Sequence, residues 1–340
     1  VKRREPAWAK LDDEQLLEVR LCDLRLSMRG SPLQGALEQL YRELAARGIR
    51  FRPHAWLAED WFSPDGVPGF AVPFYLAHPR LQRLERRMTG EAEGSRSAWR
   101  MRILRHEAGH AIDNAFRLRR RARWRALFGR ASQRYPREYR ARPGSRRHVQ
   151  HLGEWYAQSH PAEDFAETFA VWLQPRSGWR RRYAAWPALA KLEYVAALAD
   201  EFAHQRPPVH GRDRIEPLAD NTRTLRQHYR AKRGAQRQRA LADALLRRAA
   251  RVPAALRGAR EQPLAPLLRA RKAALRSWLE RASGADRYTT WQILRLAITR
   301  SERLGLTARA TQRVLLPRVR AALLRATRLY LGSAQLRMRL

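Results

Sequence analysis

The chain has a single cysteine, Cys22, among its 340 residues, so no disulfide can form within it and a zinc site built from thiolates is excluded. Any metal must therefore be held by histidine and carboxylate. Lysine is scarce as well, standing only at positions 2, 10, 191, 232 and 272, which leaves 64 of the 69 basic side chains as arginine. Acids number only 32, and the net charge is +37. Such a charge points towards nucleic acid or another polyanion as a partner. The arginines are nevertheless spread along most of the chain, as arginine-favouring codon usage would give, so a merely solvated basic surface fits equally. No run approaches the roughly 18 apolar residues that cross a bilayer, and Val1-Lys2-Arg3-Arg4-Glu5-Pro6 is not followed by the apolar stretch of a signal peptide. No membrane partner is expected, and the expected location is cytoplasmic.

What is present suffices for a folded core, with 44% hydrophobic residues and 11 Trp. Ser31 and Pro32 start a helix predicted over 32–47, with Leu37, Leu40, Tyr41 and Leu44 on its apolar face and Gly48 closing it. Strands are expected at Ile49 to Arg52 and at Gly69 to Leu76, the second an edge strand because Pro73 cannot donate to a ladder. Such an edge could pair with an extended peptide. A long helix from Ser97 carries Met101, Leu104, Ala108, Ala111, Ile112 and Ala115 at helical spacing. Residues 117–147 read as a helix followed by an exposed connection broken by Pro136, Pro143 and Gly144. Further helices are expected from Pro161 to the break at Pro175 and from Leu189 to His204. A domain boundary is expected at 206–211. Beyond it, residues 221–340 hold 29 Lys and Arg against 5 Asp and Glu, so this third carries +24 of the charge. Its Leu, Ala and Arg pattern predicts a small helical bundle with breaks near Gly234, Gly258, Pro263 and Gly284.

The most informative stretch is His106-Glu107-Ala108-Gly109-His110. Two histidines four apart leave one face of a helix and can share a zinc ion, with the intervening glutamate beside the reacting water. A catalytic zinc has three protein ligands, so one more must come from elsewhere. The candidate is Glu163. It lies four residues before Glu167, so both acids share a face of an otherwise apolar helix and need a cationic partner or a metal. In this scheme Glu163 binds zinc and Glu167 accepts the free ring N–H of a ligand histidine. The bland alternatives are an acid at the positive end of its helix for Glu163 and an arginine ion pair for Glu167. His148 and His151 are rival ligands, and His160 suits a helix entrance. His54 and His78 flank the expected strands, where a cleft or a surface role is open. Asp113 is either a hydrogen-bonding support one turn beyond His110 or an exposed acid. Gly109, costly inside a helix, is tolerable if the zinc or a neighbouring backbone approaches closely.

The segment from His106 to Asp113, with Tyr156 seven residues before Glu163 and the Glu163-x-x-x-Glu167 pair, resembles the lethal-factor-like branch of the gluzincin metallopeptidases. Pro73 to Leu81, Arg102 to Arg105 and Ser159 to Leu173 also resemble a bacterial family of zinc-binding metallopeptidases, over about residues 45–215. The resemblance implies a zincin-like fold, Glu163 as third ligand, His106 as the histidine held by Glu167, and Tyr156 assisting at the transition state. Read alone, Tyr156 beside Trp155 is equally a core anchor.

The expectation is thus α+β: a zincin-like catalytic domain over residues 1–215 and a basic all-α appendage over 216–340. The expected activity is zinc-dependent hydrolysis of a peptide or protein substrate, with His106, His110 and Glu163 on Zn2+, Glu107 as general base, Tyr156 as catalytic assistant and Glu167 and Asp113 as supports. The alternative is a polyanion-binding protein with a structural or catalytically lapsed zinc site.

Overall fold

The computed structural model describes residues 5–133, 135, 139, 142, 145–153, 155–202, 205–253, 261–285 and 287–332. The chain divides into two compact units, residues 1–232 and 233–340. It is mixed helix with small sheets.

In the first unit a short helix α1 (Asp13–Leu17) precedes α2 (Pro32–Ala45). Ser31 caps α2, accepting from the Leu33 amide, and Leu37, Leu40 and Leu44 are buried. The end of α2 explains why the strand expected at Ile49 to Arg52 does not form. Gly48 takes a left-handed φ of 78°, its amide donates to the Ala45 carbonyl, and the Ile49 amide donates to Leu44. Ile49 is the apolar residue of a helix-ending motif, with its amide already used. The strand comes later, as β1 (His54–Ala58), parallel to β2 (Gly69–Pro73), with Trp56 opposite Ala71.

The expectation of an open edge over 69–76 is also corrected. β2 is wholly buried and stops at Pro73, Phe74–Ala77 turn as a 3-10 helix, and the Ala71 amide donates to the Phe62 carbonyl at 2.8 Å. Phe62 therefore occupies the edge of β2 away from β1, where a substrate strand was expected to pair.

Next come α3 (Pro79–Thr89), capped by His78, and the long α4 (Ser97–Phe116). α4 is buried almost all round from Arg100 onward, which requires partners for its polar groups. One such partner is on α2: Arg105 makes a two-pronged pair with Glu43, Nε to Oε2 at 2.7 Å and Nη2 to Oε1 at 2.8 Å. α5 (Ala122–Phe128) follows, and the breaks expected at Pro136, Pro143 and Gly144 lie outside the described residues. α6 (Pro161–Leu173) is buried along its whole length against α4, with α7 (Trp179–Arg182) and α8 (Leu189–Phe202) after it. The expected end of α8 at His204 also lies outside the described residues.

The segment after 206–211 stays with the first unit. Leu218, Leu225 and Tyr229 join its core, and the Leu21 and Cys22 amides bond to the carbonyls of Arg223 and Asn221. α9 (Leu225–Ala250) runs unbroken through Gly234. The second unit contains β3 (Glu261–Pro263), α10 (Leu264–Ala270), α11 (Lys272–Ser283), α12 (Arg287–Arg303), β4 (Thr307–Arg309), antiparallel to β3, and α13 (Gln312–Gly332). Its core gathers Leu264, Leu268, Leu279, Leu294 and Leu315. Gly284 ends α11 in a left-handed conformation, whereas Gly258 lies outside the described residues.

Because the Arg105 and Glu43 side chains are both buried, removing one strands the other. Arg105→Met should cost about 3–5 kcal/mol in urea unfolding. The double variant with Glu43→Leu should recover most of that loss. A single variant as stable as the parent contradicts the pairing.

Candidate metal centre

The histidine face of α4 and the acidic face of α6 meet because the two helices cross with almost no space between them. A Cβ added at Gly109 would lie 2.8 Å from Cα of Ala166. The close approach that makes a helical glycine tolerable is therefore that of a neighbouring backbone. One turn either way along α6 from this crossing, Glu163 and Phe169 face α4.

Nε2 of His106 lies 3.0 Å from Oε2 of Glu163, Nε2 of His110 lies 3.1 Å from the same oxygen, and the two ring nitrogens are 3.1 Å apart. All three residues are buried. Among the described residues this is the cluster of His, Cys, Asp and Glu able to hold a metal ion. Donor atoms bonded at about 2.0–2.1 Å to one tetrahedral zinc lie about 3.3 Å apart, within a few tenths of an ångström of this triangle. Two imidazoles and one carboxylate are also a recurrent donor set of catalytic zinc. The residues fit the ion.

The supports of the triangle are equally definite. Nδ1 of His106 lies 3.0 Å from Oε1 of Glu167, whose other oxygen accepts the Leu152 amide at 2.8 Å. Glu167 thus holds the ring so that Nε2 faces the cluster. Burial opposes charge on His106, but its bonds to Glu163 and Glu167 outweigh it and raise the metal-free imidazole to about 10. Glu163 is likewise buried, yet the two histidines hold it well below the usual carboxylate range. Its second oxygen, Oε1, accepts from the Tyr135 hydroxyl at 2.9 Å. The Tyr135 ring stacks on His160 at 3.8 Å, and His160 caps α6 through Nδ1. The helix entrance expected for His160 is where it stands.

Glu107 points its Oε2 at the Ser63 hydroxyl, which donates at 2.8 Å. Asn114, two turns beyond Glu107 on the same side of α4, binds the carbonyls of Pro64 and Val67 and the amide of Gly66, fastening the loop that carries Ser63. Tyr156 lies with its ring 5.6 Å from that of His106. Burial, reinforced by Glu163 and Glu107, pushes its phenol upward, so it stays neutral at ordinary pH.

Asp113 does not bond to His110. It is buried and both oxygens face Arg119, one accepting its amide and one its guanidinium, each at 3.0 Å. Its job is to fix the turn after α4. The rival ligands are elsewhere: Nε2 of His151 bonds to the Arg102 carbonyl and His148 lies near Asp164. Burial holds both histidines near 4, and hence neutral. Ser63 and Tyr135 were not anticipated. A hydroxyl in a turn and a tyrosine in a basic, proline-broken stretch carry no periodic signal; only Asn114, seven residues after Glu107, hints that a loop is tied there.

Two outcomes test the site. Metal must displace the proton that His106 carries at Nε2 below about pH 10. Between pH 7.5 and 9, calorimetry in buffers of different ionisation heat should therefore show about one proton released per zinc, and affinity should rise about tenfold per pH unit. Glu167→Gln should shrink that release, and a pH-independent affinity contradicts the assignment. Gly109→Ala should destabilise the protein by about 1–3 kcal/mol and weaken zinc binding by separating α4 from α6.

Residues 98–184, which span α4 to α7, match a family model described as "Putative zinc-binding metallo-peptidase". No curated protein and no solved structure matches the chain.

Proposed function

We propose that the chain is a zinc-dependent metallopeptidase of the gluzincin type, with a zincin-like catalytic fold and a peptide or protein as substrate. The observation that carries the reading is the triangle of His106, His110 and Glu163, with Glu107 adjacent in sequence to one ligand and held by Ser63. The match over residues 98–184 supports it. Among the described residues, no helix is long and apolar enough to cross a membrane.

Zinc held by the triangle would supply a Lewis acid that makes water a nucleophile near neutral pH and polarises the scissile carbonyl. The remaining chemistry belongs to the chain. Ser63 donates to Oε2 of Glu107 and orients the carboxylate, which takes a proton from the attacking water and returns it to the leaving amine. Tyr156 stays a phenol and donates a hydrogen bond to the tetrahedral oxyanion of the substrate. Glu167 keeps the His106 ring from rotating, and Tyr135 holds Oε1 of Glu163 so that Oε2 alone is presented to the histidines.

Release of dye from labelled casein tests the reading. A strong chelator should abolish it, and Glu107→Gln should lower it by about 10²–10⁴-fold while zinc content stays at the parent level. Tyr156→Phe should cost about 10²-fold with zinc retained. Undiminished cleavage by Glu107→Gln eliminates the mechanism.

A further inference from the structure

A cavity of about 310 Å3 opens beside the start of β1, and the charged residues that line it are three arginines, Arg52, Arg212 and Arg214. Among the described residues, no acidic residue and none of the metal-cluster residues lines it. Elsewhere in this unit arginines such as Arg20, Arg119, Arg121 and Arg226 sit directly on acids. Around the cavity, like charges converge instead.

The convergence has a local cause. Arg212 and Arg214 are two residues apart and both line the cavity, while Asp213 between them does not. The consecutive residues Arg52 to Ala55 form the other wall. The walls are fixed to each other: Nε2–H of His54 donates to the Asp213 carbonyl at 2.8 Å, and Nε1–H of Trp56 donates to the Ile215 carbonyl at 2.9 Å. Two side chains two apart on β1 thus grip two carbonyls two apart in the facing segment. The Arg52 guanidinium lies over the Tyr41 ring at 5.7 Å, and the Tyr41 hydroxyl is already committed to the Pro53 carbonyl at 2.8 Å. Arg52 is thus held by a neutral contact, the segment carrying Arg212 and Arg214 is fastened through its backbone, and among the described residues no acidic side chain lines the cavity.

Guanidinium groups meet tetrahedral oxyanions through paired N–H donors, and an anion of charge −2 offsets most of the mutual repulsion of three arginines. We propose that this cavity is a binding site for a phosphate dianion, either free or as the monoester of a small molecule. The site is independent of the metal centre and of the peptidase reading.

Titration calorimetry of the full chain at 150 mM NaCl, with inorganic phosphate and separately with phenyl phosphate, tests it. One anion should bind per chain, and Arg212→Gln/Arg214→Gln should weaken it at least tenfold. Arg83→Gln/Arg86→Gln removes the same charge from exposed positions on α3 and should leave affinity unchanged, as should Glu163→Ala, which disables the metal cluster. Tighter phenyl phosphate assigns the site to an ester, and equal or tighter inorganic phosphate to the free anion. No binding, an equal loss in both double variants, or loss in Glu163→Ala overturns the proposal.

Discussion

Where Gly109 meets Ala166, two buried helices approach so closely that one methyl group would collide with backbone. That contact determines what the acids on α6 can reach. Glu163 lies one turn before Ala166, and at this separation its Oε2 falls between the two Nε2 atoms of α4. A wider crossing would part the facing atoms of three buried polar groups, which is costly. The metal triangle is thus a consequence of helix packing, and the glycine in the middle of the motif belongs to its geometry as much as the histidines do.

Around this crossing, buried charges are paired off in a way that holds both helices still. Arg105 reaches Glu43 on α2, His106 reaches Glu167, and Asp164 reaches Lys191 on α8. Asp113 fixes the turn after α4 through Arg119. Burial still pushes Asp164 up to about 7 despite Lys191. Pairs of this kind contribute modestly to net stability but fix orientation, because each would be costly to break. A site that must hold three donor atoms in place gains from such rigidity.

The parts legible in the sequence were those whose signals are local. The cap at Ser31, the apolar stripes of α4 and α6 and the four-residue spacings of His106 with His110 and Glu163 with Glu167 all follow helical geometry. Ile49 misled because an apolar residue after Gly48 serves the end of a helix as well as the start of a strand. Phe62 covering β2, Ser63 on Glu107, Tyr135 on Glu163 and the return of residues 218–232 to the first core are long-range contacts. No periodicity encodes them. Asp113 shows the converse: its spacing from His110 suited a support, but Arg119, six residues on, captured both oxygens.

The central claim is that α6 supplies the third metal ligand, and metal content tests it most directly. Purified wild-type chain, dialysed against buffered zinc, should retain about one zinc per chain. Glu163→Ala, with helical content unchanged by circular dichroism, should bind zinc at least about 100-fold more weakly and retain almost none. Full zinc occupancy in Glu163→Ala under the same dialysis would contradict the account.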